Sequence, residues 1–178
     1  MASNWDWMTG DMRSRQPRDE RGHDMMQVCL NGHQITDFAE SMPEFRKAFC
    51  SDCGAKTITA CPECNMSIQG HYRSSGVLSA YAAPVPNNCH ACGTAYPWRQ
   101  QALAAAIDAV RLELDEQDAA AAAALLPAVA AETPRTELAA YKLMKLLTKL
   151  QKPAYDITIK MVSDIASETA KKILWSKP

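Results

Sequence analysis

The chain holds seven cysteines, all between Cys29 and Cys92, and six of them stand as Cys-x-x-Cys: Cys50 with Cys53, Cys61 with Cys64, and Cys89 with Cys92. Two intervening residues let both thiolates of a tight turn face one cation. The seventh, Cys29, is followed four positions on by His33. Seven sulfurs and one imidazole make four ligand pairs, and zinc takes four such donors in a tetrahedron, so the set closes two sites. Each pair also carries a residue tolerant of positive φ: Asn31-Gly32 inside the first, then Gly54, Asn65 and Gly93 directly after the others. Buried free cysteines serving as small apolar residues would not repeat ligand and turn chemistry together. The expectation is therefore two Zn²⁺ held by Cys29, His33, Cys50, Cys53, Cys61, Cys64, Cys89 and Cys92.

His33 is the weakest of the eight, because a lone histidine is more often a surface residue. The Cys-x-x-x-His spacing and the need for an eighth donor favour it over His71, which follows Gly70 in an expected hairpin. They favour it also over His90, inside the Cys89–Cys92 turn with its ring facing out, and over His23 in the N-terminal segment. Three ways of sharing the ions stay open. A nested arrangement joins Cys50, Cys53, Cys61 and Cys64, and leaves Cys29 and His33 to meet Cys89 and Cys92. A sequential one joins neighbouring pairs, and a cross-brace joins the first with the third. We lean to the nested arrangement; the ligand set is the same in all three.

The elements that must carry these turns follow from composition. Of 178 residues, 47% are apolar and 22% charged, a globular balance, and the net charge is −1. Such a balance disfavours a large nucleic-acid footprint. The longest uncharged apolar run, Ala119 to Ala131, contains Pro127 and is short of the roughly 20 residues of a membrane span. Met1 to Glu20 is interrupted by charge and has no apolar signal core, so the expected compartment is the reducing cytoplasm.

Three segments emerge. Residues 1–26 read as a mobile tail with Trp5 and Trp7 as its large aromatics. Residues 27–98 hold all the cysteines and short β-type runs such as Lys56-Thr57-Ile58-Thr59 and Gly76-Val77-Leu78. Residues 99–178 contain no glycine and much alanine, as a helical domain requires. Pro97-Trp98 opens a first helix with Leu103, Ile107, Val110 and Leu114 on one face. Ala119–Ala131 continues as an Ala-rich helix, kinked or begun at Pro127. Thr133-Pro134 is a start signal for the helix carrying Leu138, Tyr141, Leu147 and Leu150. Lys142, Lys145, Lys149 and Lys152 crowd its end, where the macrodipole favours cations. Pro153 opens a last helix with Tyr155, Ile159, Val162, Ala166, Ala170 and Ile173 on one face, widened by Ile157, Met161 and Ile165. So wide a stripe reads as core before oligomer contact. The expected fold is a small zinc-stabilised β module, ribbon-like with two zinc ions, followed by an all-α domain of three or four helices.

Phe49-Cys50-Ser51-Asp52-Cys53-Gly54 and Cys61-Pro62-Glu63-Cys64 resemble a zinc ribbon. The wider pattern adds Cys29-Leu30-Asn31-Gly32-His33 before it and Cys89-His90-Ala91-Cys92-Gly93 leading to Tyr96-Pro97-Trp98 after it. Over about residues 27–98 this resembles an uncharacterised bacterial domain-of-unknown-function family with a double zinc-ribbon region. The resemblance implies metal ligation and carries no activity.

Eight ligands for two ions leave no open coordination position, as catalytic zinc needs. His-x-Glu with Pro-Cys-x-x-Cys, His-Glu-x-x-His, the phosphate loop and Gly-x-Ser-x-Gly are all missing. A non-enzymatic role is expected: protein–protein assembly, with a partner or by self-association through the helical domain. The alternative is nucleic-acid binding, with Phe45, Arg46, Lys47, Tyr72, Arg73, Trp98 and Arg99 supplying stacking and phosphate contacts. Thiolate ligation of two Zn²⁺ would shift the net charge further negative, which repels phosphate and favours protein partners.

Overall fold

The computed structural model describes residues 22–73 and 81–175. Trp5, Trp7 and the run Gly76-Val77-Leu78 lie outside the described residues. The chain divides into two compact units. Of the described residues, one comprises 22–29, His33–Ala60, 67–73 and 81–85; the other comprises Leu30–Gly32, Cys61–Met66 and 86–175. These units cut the chain differently from a boundary at residue 98.

Among the described residues, the first unit is built from two small antiparallel sheets. Strand β1 (Gly22–Met25) pairs with β5 (Gln69–Arg73), with His23 opposite Tyr72. Strand β2 (Gln27–Cys29) lies between β3 (Gln34–Thr36) and β4 (Thr57–Ile58). Residues 22–25, which the sequence assigned to the tail, are therefore a paired strand, while the expected run at Lys56–Thr59 contains β4. The core is small: Met26, Val28, Ala39 and Ile68 are fully buried. Gly70 is required in β5, since a Cβ there would lie 2.3 Å from the Asp37 carbonyl oxygen. A 3₁₀ turn at Pro43–Phe45 leaves Phe45 exposed.

The described residues of the second unit form five α-helices rather than three or four: α1 (Pro97–Glu113), α2 (Glu116–Val129), α3 (Thr136–Leu147), α4 (Lys152–Ile165) and α5 (Glu168–Trp175). The first uncounted break falls where Leu114 turns extended and Asp115 caps α2, its carboxylate accepting from the Asp118 amide at 2.9 Å. The second splits the single last helix that the sequence implied. Ala166 turns extended, and Glu132 accepts from the Thr169 amide at 2.9 Å, supplying a cap to α5. Pro127 sits inside the final turn of α2 without ending it. Helix α3 begins at Thr136, not Pro134; Thr133 accepts from the Arg135 amide at 3.3 Å, and the Thr136 hydroxyl donates to the Ala131 carbonyl at 2.6 Å.

Helix α1 packs on α2 and α4, α2 on α3, and α3 on α5. The shared core is Val110, Leu126, Val129, Leu143, Leu147, Val162 and Leu174, with Ala106, Ala122, Ala140 and Ala170 letting helices approach closely. Of the wide stripe on α4 and α5, Ile159, Val162, Ile165, Ala166 and Ala170 are buried, whereas Ile157 is exposed. On α3, Leu138 and Tyr141 face solvent. No described helix is long and apolar enough to cross a membrane.

Candidate metal centres

Each Cys-x-x-Cys turn is closed by the same pair of backbone bonds. The first cysteine's amide donates to the carbonyl five residues on: Cys50 to Ala55 at 2.9 Å, Cys61 to Met66 at 2.8 Å, Cys89 to Thr94 at 2.9 Å. The amide four residues on donates back: Gly54 to Cys50, Asn65 to Cys61 and Gly93 to Cys89, each at 2.9 Å. That return bond requires the left-handed backbone found at Gly54 (φ 69°), Asn65 (φ 58°) and Gly93 (φ 75°). Three stretches of different sequence thus fold into one chelating turn. The fourth pair uses a hairpin instead. Cys29 ends β2, His33 precedes β3, and the Cys29 amide donates to the His33 carbonyl at 3.0 Å, with Gly32 at φ 91° between them.

The turns converge as two tetrads. Ligand atoms of Cys29, His33, Cys50 and Cys53 all lie within 4.8 Å of one another, and so do those of Cys61, Cys64, Cys89 and Cys92. In the first, Cys29 Sγ is 3.7 Å from Cys53 Sγ, and His33 Nδ1 is 3.3 Å from Cys53 Sγ and 3.6 Å from Cys50 Sγ. In the second, Cys61 and Cys92 sulfurs are 3.8 Å apart and those of Cys64 and Cys89 3.6 Å. Each tetrad alternates buried and exposed members.

This is the sequential arrangement, and it corrects the nested one favoured from sequence. The residues after Cys53 turn back only briefly on the approach to Cys50, Lys56 bridging Phe49 and the Thr57 amide donating to the Ala48 carbonyl at 3.2 Å. They run out as β4 against β2, with Thr57 opposite Cys29 and Ile58 opposite Val28. That register delivers Cys29 to the Cys50 turn and carries the chain on to Cys61 for the other tetrad.

The donor set fits a thiophilic cation. Four thiols held this close cannot all ionise without a positive charge among them. At Cys64 the Met66 amide pulls the thiol down, but the shared bonds with Cys92, Cys89 and Cys61, together with burial, push it up to about 12. At Cys89 the amides of Cys92 and Ala91 lead in drawing the thiol down to about 6. The Thr94 hydroxyl and amide lower Cys92 likewise. A cation amid the four sulfurs would satisfy all of them as thiolates.

The other histidines stand elsewhere. His71 Nδ1 is 3.6 Å from the Asp37 carboxylate and its ring lies against Phe38. His23 Nδ1 is 3.1 Å from the Gly70 carbonyl oxygen. His90 is exposed on its turn, as its position suggested.

The residues considered for nucleic acid are divided between the units and mostly engaged. Arg46 donates to the Ala39 carbonyl at 2.6 Å. Arg73 stands 4.0 Å from Asp24 and 3.7 Å from Glu40. Lys47 and Tyr72 are exposed, Tyr72 edge-on to His23. Trp98 is buried, stacked on Tyr96 at 4.7 Å, its indole N–H donating to the Pro86 carbonyl at 3.0 Å. Arg99 donates to Ile165 O at 2.7 Å and to Ala130 O, so its fork joins α1 to the C-terminal ends of α4 and α2.

Sequence reasoning missed the groups around the second tetrad. Tyr96, which it read as the approach to a helix, is 1% exposed, its ring stacked on Trp98. Burial first, then Cys89, Cys61 and Cys64, push the Tyr96 phenol far above its ordinary range. Thr94 carried one usable signal, a hydroxyl two residues past the second cysteine.

No curated protein and no solved structure matches the chain. A family model described as an uncharacterized protein conserved in bacteria, DUF2321, matches residues 22–174, and the chain belongs to that family.

Proposed function

We propose that this is a non-enzymatic two-zinc protein in which Cys29, His33, Cys50 and Cys53 hold one Zn²⁺ and Cys61, Cys64, Cys89 and Cys92 hold the other. The zinc-organised region, read as ribbon-like, serves with the helices as a platform for protein–protein assembly in a reducing cytoplasm. The observation that carries the reading is the convergence of eight soft donors into two groups of four. Sulfur and imidazole donors in fours suit Zn²⁺, and a full protein shell leaves no position for a reacting water. The zinc here supplies folding free energy, about 10–16 kcal/mol in small finger peptides.

Protein rather than nucleic-acid partners are supported by charge and by what the cationic side chains already do. The chain is slightly acidic overall, and Arg73 and Arg99 are spent on internal partners. Exposed Leu138 and Tyr141 on α3 offer apolar contact area. Native mass spectrometry tests the metal reading: the expected mass carries two zinc ions per chain, and one or none overturns it. A fluorescent oligonucleotide bound with a steep salt dependence would replace the assembly reading by the nucleic-acid one.

A further inference from the structure

The second tetrad consists of thiols alone, Cys61, Cys64, Cys89 and Cys92, and their number is even. A thiolate is a nucleophile as well as a ligand, and two thiolates can abandon a cation by bonding to each other. Whether a centre opens in this way depends on which sulfurs stand together and which of them an oxidant reaches.

Two sulfur–sulfur contacts of the tetrad cross from one chelating turn to the other. Cys61 Sγ lies 3.8 Å from Cys92 Sγ, and Cys64 Sγ lies 3.6 Å from Cys89 Sγ. A disulfide holds its sulfurs about 2.05 Å apart, so each pair has to close by less than about 2 Å. Each pair also joins an exposed cysteine to a buried one: Cys64 and Cys92 are exposed, Cys89 and Cys61 buried. An oxidant arriving from solvent therefore meets Cys64 and Cys92 first, and beside each waits a sheltered sulfur of the opposite turn.

The turns themselves are closed by backbone bonds that do not involve sulfur. The Cys61 and Cys89 amides donate to the Met66 and Thr94 carbonyls, and the Asn65 and Gly93 amides donate back to the Cys61 and Cys89 carbonyls. Asn88 bridges Ala95 at the base of the second turn, just before α1 begins at Pro97. Covalent bonds from turn to turn would keep joined what shared ligation joins; a bond within one turn would not.

Resting on the two-zinc reading, we propose that the second tetrad is a peroxide-responsive modification site, in which oxidation forms the Cys61–Cys92 and Cys64–Cys89 disulfides and the centre gives up its cation. The Cys64 thiolate attacks hydrogen peroxide and breaks its O–O bond; the sulfur keeps one oxygen as a sulfenic acid and the other leaves as hydroxide. The Cys89 thiolate then attacks the Cys64 sulfur, the S–O bond breaks, and a second hydroxide leaves. Cys92 and Cys61 react in the same order. Each disulfide thus consumes two thiolates and one peroxide and yields two hydroxides. The adjacent resolving thiolate takes the sulfenic acid before it advances to the irreversible sulfinic acid. Paired sulfurs have lost the negative charge that ligation requires. A thiol reductant returns all four thiolates by exchange.

The test uses the full chain loaded with zinc, in buffer free of thiols, treated with hydrogen peroxide while a metallochromic indicator reads the zinc set free. After the remaining thiols are alkylated, cleavage after Glu63 and after Arg73 puts Cys61, Cys64 and the Cys89–Cys92 turn on three separate peptides. Expected is zinc release accompanied by a species linking all three peptides, with fragmentation between Cys89 and Cys92 assigning Cys89 to Cys64 and Cys92 to Cys61. Excess thiol reductant should then restore the original zinc content. Cys61 linked to Cys64 with the Cys89–Cys92 peptide closed on itself, sulfinic acids in place of links, zinc retained under peroxide, or release that a thiol does not reverse would each overturn the inference and leave the two-zinc reading standing. Protein that carries fewer than two zinc ions before peroxide is added overturns both.

Discussion

Arg99 shows how a residue's partners decide its role. As a surface cation it would have served phosphate binding; instead its guanidinium spans two carbonyls at helix C-termini, Ala130 after α2 and Ile165 at the end of α4. Helix C-termini gather partial negative charge, and a planar fork satisfies two ends at once. Burial of the guanidinium lowers its pKa. Arg99→Met keeps the stem and removes the fork. We expect a loss of about 2 kcal/mol, seen as a lower denaturant midpoint with an unchanged slope, and no change in metal content. Glu132 acts at the same junction from the other side. Hydrogen bonds from the Thr169 amide first, then its hydroxyl, Ser167 and Glu168, hold the Glu132 carboxyl below its ordinary value of 4.5. A depressed folded-state pKa stabilises fully above the unfolded value, and that stabilisation is lost as pH falls through the folded one. Wild type should therefore melt above Glu132→Gln at neutral pH, and the gap should close as the pH is taken below about 4.5. A gap independent of pH would mean that the carboxylate charge contributes nothing.

At the scale of elements, the chelating turns were legible and the helix boundaries were not. Gly54, Asn65 and Gly93 announce the turns because a short return bond can be made only through a left-handed residue, and that preference is local. The convergence of the turns into two tetrads was not local. It depended on β4 pairing with β2, which no spacing of cysteines encodes. The break between α4 and α5 was equally hidden, since its cap, Glu132, comes from the α2–α3 connection, far off in sequence. Asp115 was a readable cap overlooked among the alanines. Gly32 carries two constraints at once. Its φ of 91° disfavours any side chain, and a Cβ there would meet the Trp98 Cβ at 3.0 Å. Gly32→Ala should cost at least about 1–2 kcal/mol from backbone strain alone, read as a fall in melting temperature. Gly54→Ala, where nothing lies within 4 Å of the added Cβ, should show the strain without the clash. Equal losses at the two positions would remove the Trp98 contact from the account.

The two units differ most in how much apolar surface each can bury, and that difference sets what metal removal should do to the whole molecule. The first unit has a handful of fully buried apolar side chains, Met26, Val28, Ala39 and Ile68, beneath strands of two to five residues. Strands so short cannot hold a fold by themselves. The described residues of the second form five helices around an apolar cluster that includes Val110, Leu143 and Leu174. Domain stabilities are commonly about 5–15 kcal/mol, and zinc ligation contributes a free energy of that same order. A strong chelator under reducing conditions should therefore abolish the dispersed amide resonances of β1–β5 while far-ultraviolet circular dichroism keeps most of its helical signal. Single-centre variants refine the expectation. Cys50→Ser should reproduce the loss in the strands, whereas Cys89→Ser should leave the strands ordered. Strand resonances that stay dispersed in the stripped protein would show that the small core suffices alone, and a scaffold dependent on metal would no longer describe this unit.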